Sequence, residues 1–307
     1  MAHATSPSAT VAVAHDKQFS LNWKTTLALV VTIILWGSAF VGIRAALNSY
    51  GPGELALFRY LVASVALGGI IFAGKSRLPA KDLPRLFAAG FMGIGLYNLL
   101  LNAGELKITA ASASLMVNVG PVFSAILAIL FLHERLNVAG WFGMFFSFFG
   151  AATIVAAEGG GVRWQPAALL VLAAALAQSI YFVITKPLLR THSALIVTTV
   201  AVWCGTIALL PYLLTLPNEI KHASHAATMA VLYLAIFPGA IGYACWSYVL
   251  ARFPVSSTTT YLYFVPLATG LIGWFWLGEV PPGLTVLGGA LTLFGVVLVN
   301  RYGREPH

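Results

Sequence analysis

Uncharged polar residues recur at helical spacing inside stretches that are otherwise apolar. Along residues 110–132, Ser114, Asn118 and Pro121 fall at i, i+4 and i+7, on one face of a helix. Asn98, within the stretch 83–101, and Asn102, just past its end, share a face, and Gln178 sits beside Ser179 and Tyr181 in the stretch 166–186. In apolar helices such groups must face protein or a watery cavity, because lipid satisfies no hydrogen bond. Two chemistries are open to them. They can act as interhelical glue, worth about 1–2 kcal/mol at most, or they can hold the charged backbone ends of a zwitterion without a buried counter-ion. Trp36, Tyr97, Tyr181, Tyr243, Trp246 and Tyr263 lie deep in such apolar stretches, and Thr259 lies in the stretch of Tyr263. These rings either pack the core or meet an aromatic or aliphatic side chain, where edge-to-face contact adds about 0.5–1.5 kcal/mol. Together the polar groups and rings suit a neutral amino acid as ligand.

The chemistry that is missing narrows the reading. No Asp, Glu or His lies near the centre of any apolar stretch: Glu134 and Glu279 close two of them, Glu54 opens one and Glu105 follows one. Intramembrane acids normally mark proton relays and cation sites, so a proton antiporter built on a buried carboxylate and a pump for cationic drugs are both disfavoured. Arg59 is the one cation well inside a stretch. It can snorkel to a membrane face, pair with a helix end or a carboxylate such as Glu134, or meet a substrate carboxylate. No nucleotide-binding loop, nucleophile constellation or cofactor motif is present. His222 and His225 are three apart but lack a further ligand, so no metal is expected. Cys204 and Cys245 both fall inside apolar stretches, as small core residues.

The elements that must carry these residues are ten apolar stretches, each long enough to cross a hydrocarbon core roughly 30 Å thick. They run Thr25–Leu47, Gly53–Ala73, Leu83–Leu101, Ala110–Leu132, Val138–Ala157, Pro166–Lys186, Ser193–Leu216, Ala226–Leu250, Ser257–Leu277 and Gly283–Asn300. Only 8% of the 307 residues are charged and 59% are hydrophobic, with a mean hydropathy of +0.88. A soluble domain carries about a quarter charged residues. The expectation is an all-α polytopic membrane protein of ten transmembrane helices. Residues 1–23 are polar, lack an apolar core, and read as a disordered cytoplasmic tail. Trp23, Trp141 and Trp164 fall at stretch ends, where interfacial anchors belong.

The net charge of +8 is distributed by side rather than gathered into a patch. With the N-terminus inside, cytoplasmic segments hold Lys17, Lys24, Lys75, Arg77, Lys81, Arg85, Arg135, Lys186, Arg190, Arg252, Arg301 and Arg304. The opposite side holds Arg44, Lys107, Arg163 and Lys221. This positive-inside pattern puts both termini in the cytoplasm and removes the need for a nucleic-acid partner.

The chain also repeats itself. Adding 145 carries Ser112 to Ser257, Pro121 to Pro266, Glu134 to Glu279, Gly143 to Gly288, Phe149 to Phe294 and Gly150 to Gly295. The same offset pairs Asn98 and Asn102 with Tyr243 and Ser247, and Ser114 and Asn118 with Thr259 and Tyr263. An offset of 141 pairs Gly37, Ser38 and Phe40 with Gln178, Ser179 and Tyr181. Five stretches per half is an odd number, so the second half (165–301) inserts inverted relative to the first (24–157). Inverted repeats of this kind enclose a midplane site and permit alternating access. Pro121 and Pro266, symmetric and mid-stretch, are the expected hinges, static bends being the alternative.

Several segments carry a resemblance: Trp36-Gly37-Ser38-Ala39-Phe40-Val41, Phe58-Arg59-Tyr60, Leu132-His133-Glu134-Arg135-Leu136, Leu277-Gly278-Glu279, and Tyr248 through Ser257. In that order, over residues 25–300, they resemble the EamA-type members of the drug/metabolite transporter superfamily. Within it the chain is most similar to the YddG-type exporters of aromatic amino acids. The resemblance implies a ten-helix fold in the bacterial inner membrane exporting small organic solutes. It implies a central cavity lined mainly by the first, third, fourth, sixth, eighth and ninth helices, with the fifth and tenth peripheral. The expected activity is amino-acid export by a monomer, without cofactor or catalysis, with membrane lipid around it. Another small metabolite (a nucleotide sugar or drug-like solute) is the alternative cargo.

Overall fold

The computed structural model describes residues 22–73, 80–132, 137–158, 165–252 and 260–302, and all regular structure among them is helical. Helix α1 (Trp23–Ala46) starts where Asn22 accepts a hydrogen bond from the Thr25 amide at 2.9 Å, satisfying one of the orphan N–H groups of a first turn. α2 (Pro52–Ala73) begins with proline, whose missing N–H costs nothing at that position. Six runs are long and apolar enough to cross a bilayer: Trp23–Ala46, Pro52–Ile71, Leu83–Glu105, Pro166–Thr191, Ala194–Leu214 and His225–Leu250. Four shorter apolar helices accompany them: Ala110–Ser124, Val138–Ile154, Val265–Leu277 and Gly283–Gly295.

Several runs are interrupted. α3 (Leu83–Gly90) passes into a π-helical stretch, Phe91–Leu96, and then α4 (Tyr97–Glu105), which carries the third run past Leu101 to Glu105. α5 (Ala110–Val117) is capped by Thr109 and separated from α6 (Gly120–Leu132) by a turn at Asn118 and Val119. α7 is Val138–Glu158, α8 Pro166–Thr191 and α9 Ala194–Leu209; a 3-10 turn, Leu210–Leu214, and the short α10 (Leu216–His222) follow. α11 (His225–Leu234) enters a second π-helical stretch, Ala235–Gly242, before α12 (Tyr243–Leu250). A 3-10 turn, Thr260–Phe264, leads into α13 (Val265–Leu277), and α14 is Gly283–Tyr302. Pro266 sits in the first turn of α13, and Pro121 is the second residue of α6. Both prolines therefore open a new helix rather than kink an existing one, because a first turn leaves their missing donor unneeded.

The packing has two parts. α1 lies against α11, α12 and α13, α4 against α8, and α2 against α9. Away from these, α7 and α14 pair along their length. They meet backbone to backbone: a Cβ on Gly150 would lie 2.5 Å from the Gly288 carbonyl oxygen, and one on Gly295 would lie 2.4 Å from that of Gly143. Ser147 Oγ donates to the Thr292 carbonyl at 3.2 Å, and Thr292 Oγ1 donates to the Ser147 carbonyl at 3.4 Å. These partners are 145 residues apart, the offset of the sequence repeat. Outer faces are apolar, with Phe142, Phe145 and Phe149 on α7 and Leu271, Trp274 and Phe275 on α13 all exposed. Contiguous apolar surface of this kind needs a bilayer rather than water around it.

Candidate functional site

Between α1, α4, α8 and the break between α5 and α6, the molecule keeps a partly open cavity. Its volume is about 90 Å³, room for several ordered waters. α1 turns Trp36, Ala39, Phe40 and Ile43 toward it, and α8 turns Ala175, Gln178, Ser179 and Phe182. Each set follows i, i+3, i+4, i+7, the single stripe that one helix face presents. α4 contributes Tyr97 and Leu101, α2 contributes Arg59, and the α5–α6 break contributes Val117, Asn118, Gly120 and Ser124. Tyr243, Leu262 and Val265 complete the wall. Among the described residues, α7 and α14 contribute nothing to it.

Of the residues expected to bind substrate, Trp36, Tyr97, Asn118, Gln178 and Tyr243 face this cavity. The others described lie behind it. Trp246 is 1% exposed and packs its ring against Trp36 and Phe182, at centroid separations of 5.3 and 5.9 Å. Tyr181 is buried over the π-helical stretch, where a Cβ on Gly93 would lie 2.3 Å from its ring. Ser114 Oγ donates to the Ala111 carbonyl at 2.7 Å, and Asn102 Nδ2 to the Pro52 carbonyl at 2.9 Å, so both hold helices rather than face the cavity. Asn98 is fully occupied. Its Nδ2 donates to Tyr60 Oη and the Ile94 carbonyl, while its Oδ1 accepts from Arg59. Thr259 lies outside the described residues, as do the side chains of Tyr263 and Pro121.

Arg59 carries the most charge-rich chemistry in the cavity wall. It is 4% exposed, so it does not snorkel to a surface. One guanidinium nitrogen donates to Asn98 Oδ1 at 3.2 Å, and the group lies over the Tyr60 ring at 5.1 Å. Among the described residues no carboxylate comes within ion-pair distance of it; Glu134 lies outside them. A lone intramembrane cation was visible in the sequence, but its place in the cavity wall was not. Ser179 and Phe40 were visible only as symmetric mates, and Ser124 and Phe182 carried no signal beyond composition.

At the end of the bundle where α1 finishes, a polar network ties four elements together. Arg44 Nε donates to Glu279 at 3.2 Å, and another Arg44 nitrogen donates to the Glu105 carbonyl. Glu279 also accepts from the Ala110 amide at 3.2 Å, at the positive end of α5. Gly278, in the left-handed region at φ 67°, closes α13 and turns the chain so that Glu279 reaches this network. Glu105, fully buried at the end of α4, has no hydrogen bond to its carboxylate among the described residues.

Two stretches, residues 23–156 and 165–301, match the EamA-like transporter family. A probable terminal-alkyne amino-acid exporter of Streptantibioticus cattleyicolor is 44% identical over 281 residues, covering 91% of this chain and 94% of that protein. The uncharacterized transporter YdfC of Bacillus subtilis is 39% identical, covering 85% and 86%. A probable amino-acid metabolite efflux pump of Salmonella typhimurium is 26% identical, covering 90% and 94%. A crystal structure 19% identical in sequence superposes with a TM-score of 0.63 over 89% of this chain and 95% of its own, a likeness of fold. With a polytopic apolar bundle, a central cavity and both matched stretches in hand, the chain belongs to the EamA-like transporter family.

Proposed function

We propose that this protein exports amino acids, aromatic and other large neutral ones, across the bacterial inner membrane by alternating access. The observation that carries the reading is the cavity wall, in which aromatic rings (Trp36, Phe182, Tyr243) alternate with amides and hydroxyls (Asn118, Gln178, Ser124, Ser179). Rings supply apolar area and directional contact for a large side chain. Amides and hydroxyls replace the water that a zwitterionic head loses on entry. Relatives described as an amino-acid exporter and an amino-acid metabolite efflux pump support cargo of this class.

In this reading ten spans form one transport domain of two inverted five-helix repeats, 24–157 and 165–301, working as a monomer with both termini cytoplasmic. The reciprocal Ser147–Thr292 bonds support the inversion, since each residue is the other's mate at 145. So do the paired interruptions. Adding 145 to the first π-helical stretch falls within the second, and adding it to Pro121 gives Pro266. A second reading, export of another small metabolite such as a nucleotide sugar or drug-like solute, draws on the cation Arg59 in the wall. The test is reconstitution in liposomes with labelled amino acids, sugars, nucleotides and cationic dyes, with and without a pH gradient. Large neutral amino acids are expected to move; movement of dyes or nucleotides without amino acids refutes the reading.

A further inference from the structure

The cavity wall holds three buried polar atoms that find no hydrogen-bond partner among the described residues: Arg59 Nε, Trp36 Nε1 and the Gln178 side-chain oxygen. Two are donors and one is an acceptor. Unpaired polar atoms away from water are costly, and native proteins keep few of them. All three belong to residues that line the cavity, but the atoms themselves lie behind its exposed surface, Trp36 Nε1 against Gly242 and Arg59 Nε toward Gly239.

The charge of Arg59 says which ligand suits such a wall. Desolvating a guanidinium costs several kcal/mol unless an anion and good hydrogen bonds offset it. Here the offset is partial. Asn98 accepts one bond at 3.2 Å and the Tyr60 ring lies at 5.1 Å, while Asn98 is itself fixed by Tyr60 Oη and the Ile94 carbonyl. This arrangement orients the guanidinium without neutralising it. On α4, Tyr97, Leu101 and Glu105 share a face at i, i+4 and i+8, but Glu105 lies one turn past the cavity and its carboxylate has no hydrogen bond among the described residues. Gln178, 8% exposed on α8, adds a neutral amide whose oxygen is unpaired among the described residues. A single planar donor with one neutral acceptor matches a carboxylate joined to an ammonium group. It does not match a phosphate dianion, for which one cation is too few.

We propose that Arg59 binds the carboxylate of the transported solute and that the Gln178 oxygen accepts from its ammonium group, so that the site selects by the zwitterionic head. This rests on the reading of the cavity as the transport site of an amino-acid exporter. Asn98 and Tyr60 are positioning residues that aim Arg59.

The test uses purified full-length protein in nanodiscs, titrated by tryptophan fluorescence with L-phenylalanine, L-phenylalaninol (no carboxylate), 3-phenylpropionate (no ammonium) and phenyl phosphate. Wild type should bind phenylalanine about 10- to 100-fold tighter than phenylalaninol, the range that a hydrogen bond to a charged group accounts for. Arg59→Gln should bring the two within about threefold, and Arg59→Lys should keep part of the preference. Gln178→Met should weaken phenylalanine but leave 3-phenylpropionate unchanged. Equal binding of phenylalanine and phenylalaninol by wild type, preference for phenyl phosphate, or an undiminished preference in Arg59→Gln overturns the proposal. If Arg59→Gln does not fold, the wild-type series and Arg59→Lys decide. Liposome flux separates the two readings: Arg59-dependent binding of 3-phenylpropionate without flux of any amino acid leaves the carboxylate anchor standing and sinks the amino-acid cargo.

Discussion

Adding one methyl group to Gly150 should damage the protein, and adding one to Gly295 should damage it equally. The Cβ of Gly150→Ala would sit 2.5 Å from three atoms of α14: the Gly288 carbonyl oxygen, the Thr292 amide nitrogen and Thr292 Oγ1. Two of these are backbone and cannot rotate away. Ordinary contact begins at 3.4 Å, so α7 and α14 must separate by about 0.9 Å. A radial gap of 0.5–1 Å forfeits a quarter to a half of each dispersion well along the crossing. Overpacking of this kind costs about 1–3 kcal/mol. Alanine's helix propensity, worth at most about 1 kcal/mol over glycine, offsets part of that. The net expectation is about 1–2 kcal/mol.

Gly295→Ala meets the Gly143 carbonyl at 2.4 Å and Ser147 N and Oγ at 2.5 Å, the mirror set at an offset of 145. Its cost should agree with that of Gly150→Ala within about 0.5 kcal/mol. Because a single separation of the helices relieves both clashes, the double variant should cost less than the two singles added. Gly270, where a Cβ would meet nothing within 4 Å, is the control and should tolerate alanine freely. Reversible unfolding in mixed detergent micelles gives the four free energies. A harmless Gly150→Ala, a difference above 1 kcal/mol between the mirror sites, or strict additivity would refute the reciprocal backbone-to-backbone crossing.

Trp36→Leu removes a ring packed against Tyr243 and Trp246, each at 5.3 Å; it should weaken aromatic substrates about 3- to 10-fold while sparing small ones, read by competition in flux assays. Arg44→Gln and Glu279→Gln should each cost about 1 kcal/mol, a modest figure because the pair is 32% and 20% exposed, and the double variant should cost less than their sum; a cycle without coupling would contradict the network. Glu219, outside the spans, accepts from the Gly51 amide at 2.9 Å, yet burial and, less so, the nearby Glu54 push its carboxyl above the usual carboxylate range. Its charged form is disfavoured in the folded state, so stability should rise as the pH falls through its raised value, and Glu219→Gln should flatten that rise in a pH series of unfolding curves. Pro121→Ala with Pro266→Ala should slow flux several-fold at unchanged binding affinity if these positions are hinges; unchanged flux removes that role.

How much of this was legible in the sequence depended on which level of structure set each feature. The apolar runs and the offset of 145 are compositional, and composition governs which segments leave water. The cavity stripes on α1 and α8 are likewise a matter of period, so Trp36 and Gln178 could be picked out. Period does not reveal partners, however. Asn98 and Asn102 lie on one face of their helix, yet one aims Arg59 and the other ties down the start of α2. Tyr181 carries the chemistry of a cavity ring but is drawn onto Gly93, where the absent side chain leaves room for it. The π-helical stretches were invisible because a shift of hydrogen-bond register leaves amino-acid content unchanged, and the prolines were legible as symmetric points but not as helix starts.

Those interruptions divide the cavity wall into two kinds of support. α1 carries its stripe of Trp36, Ala39, Phe40 and Ile43 unbroken, and α8 is continuous through Ala175 to Phe182, its internal Pro187 lying beyond the stripe. Apart from Arg59 on the unbroken α2, the remaining wall hangs on loosened backbone: the π-helical stretches before Tyr97 and Tyr243, the turn at Asn118, and the 3-10 turn before Val265. π-helical turns and 3-10 pieces hold their hydrogen bonds less favourably than α-helix and recur at functional sites. A substrate gripped by the unbroken helices can thus keep its contacts while the interrupted ones shift around it. Affinity should then answer to residues on α1, α2 and α8, and rate to the interruptions. The two can be moved separately because different helices carry them.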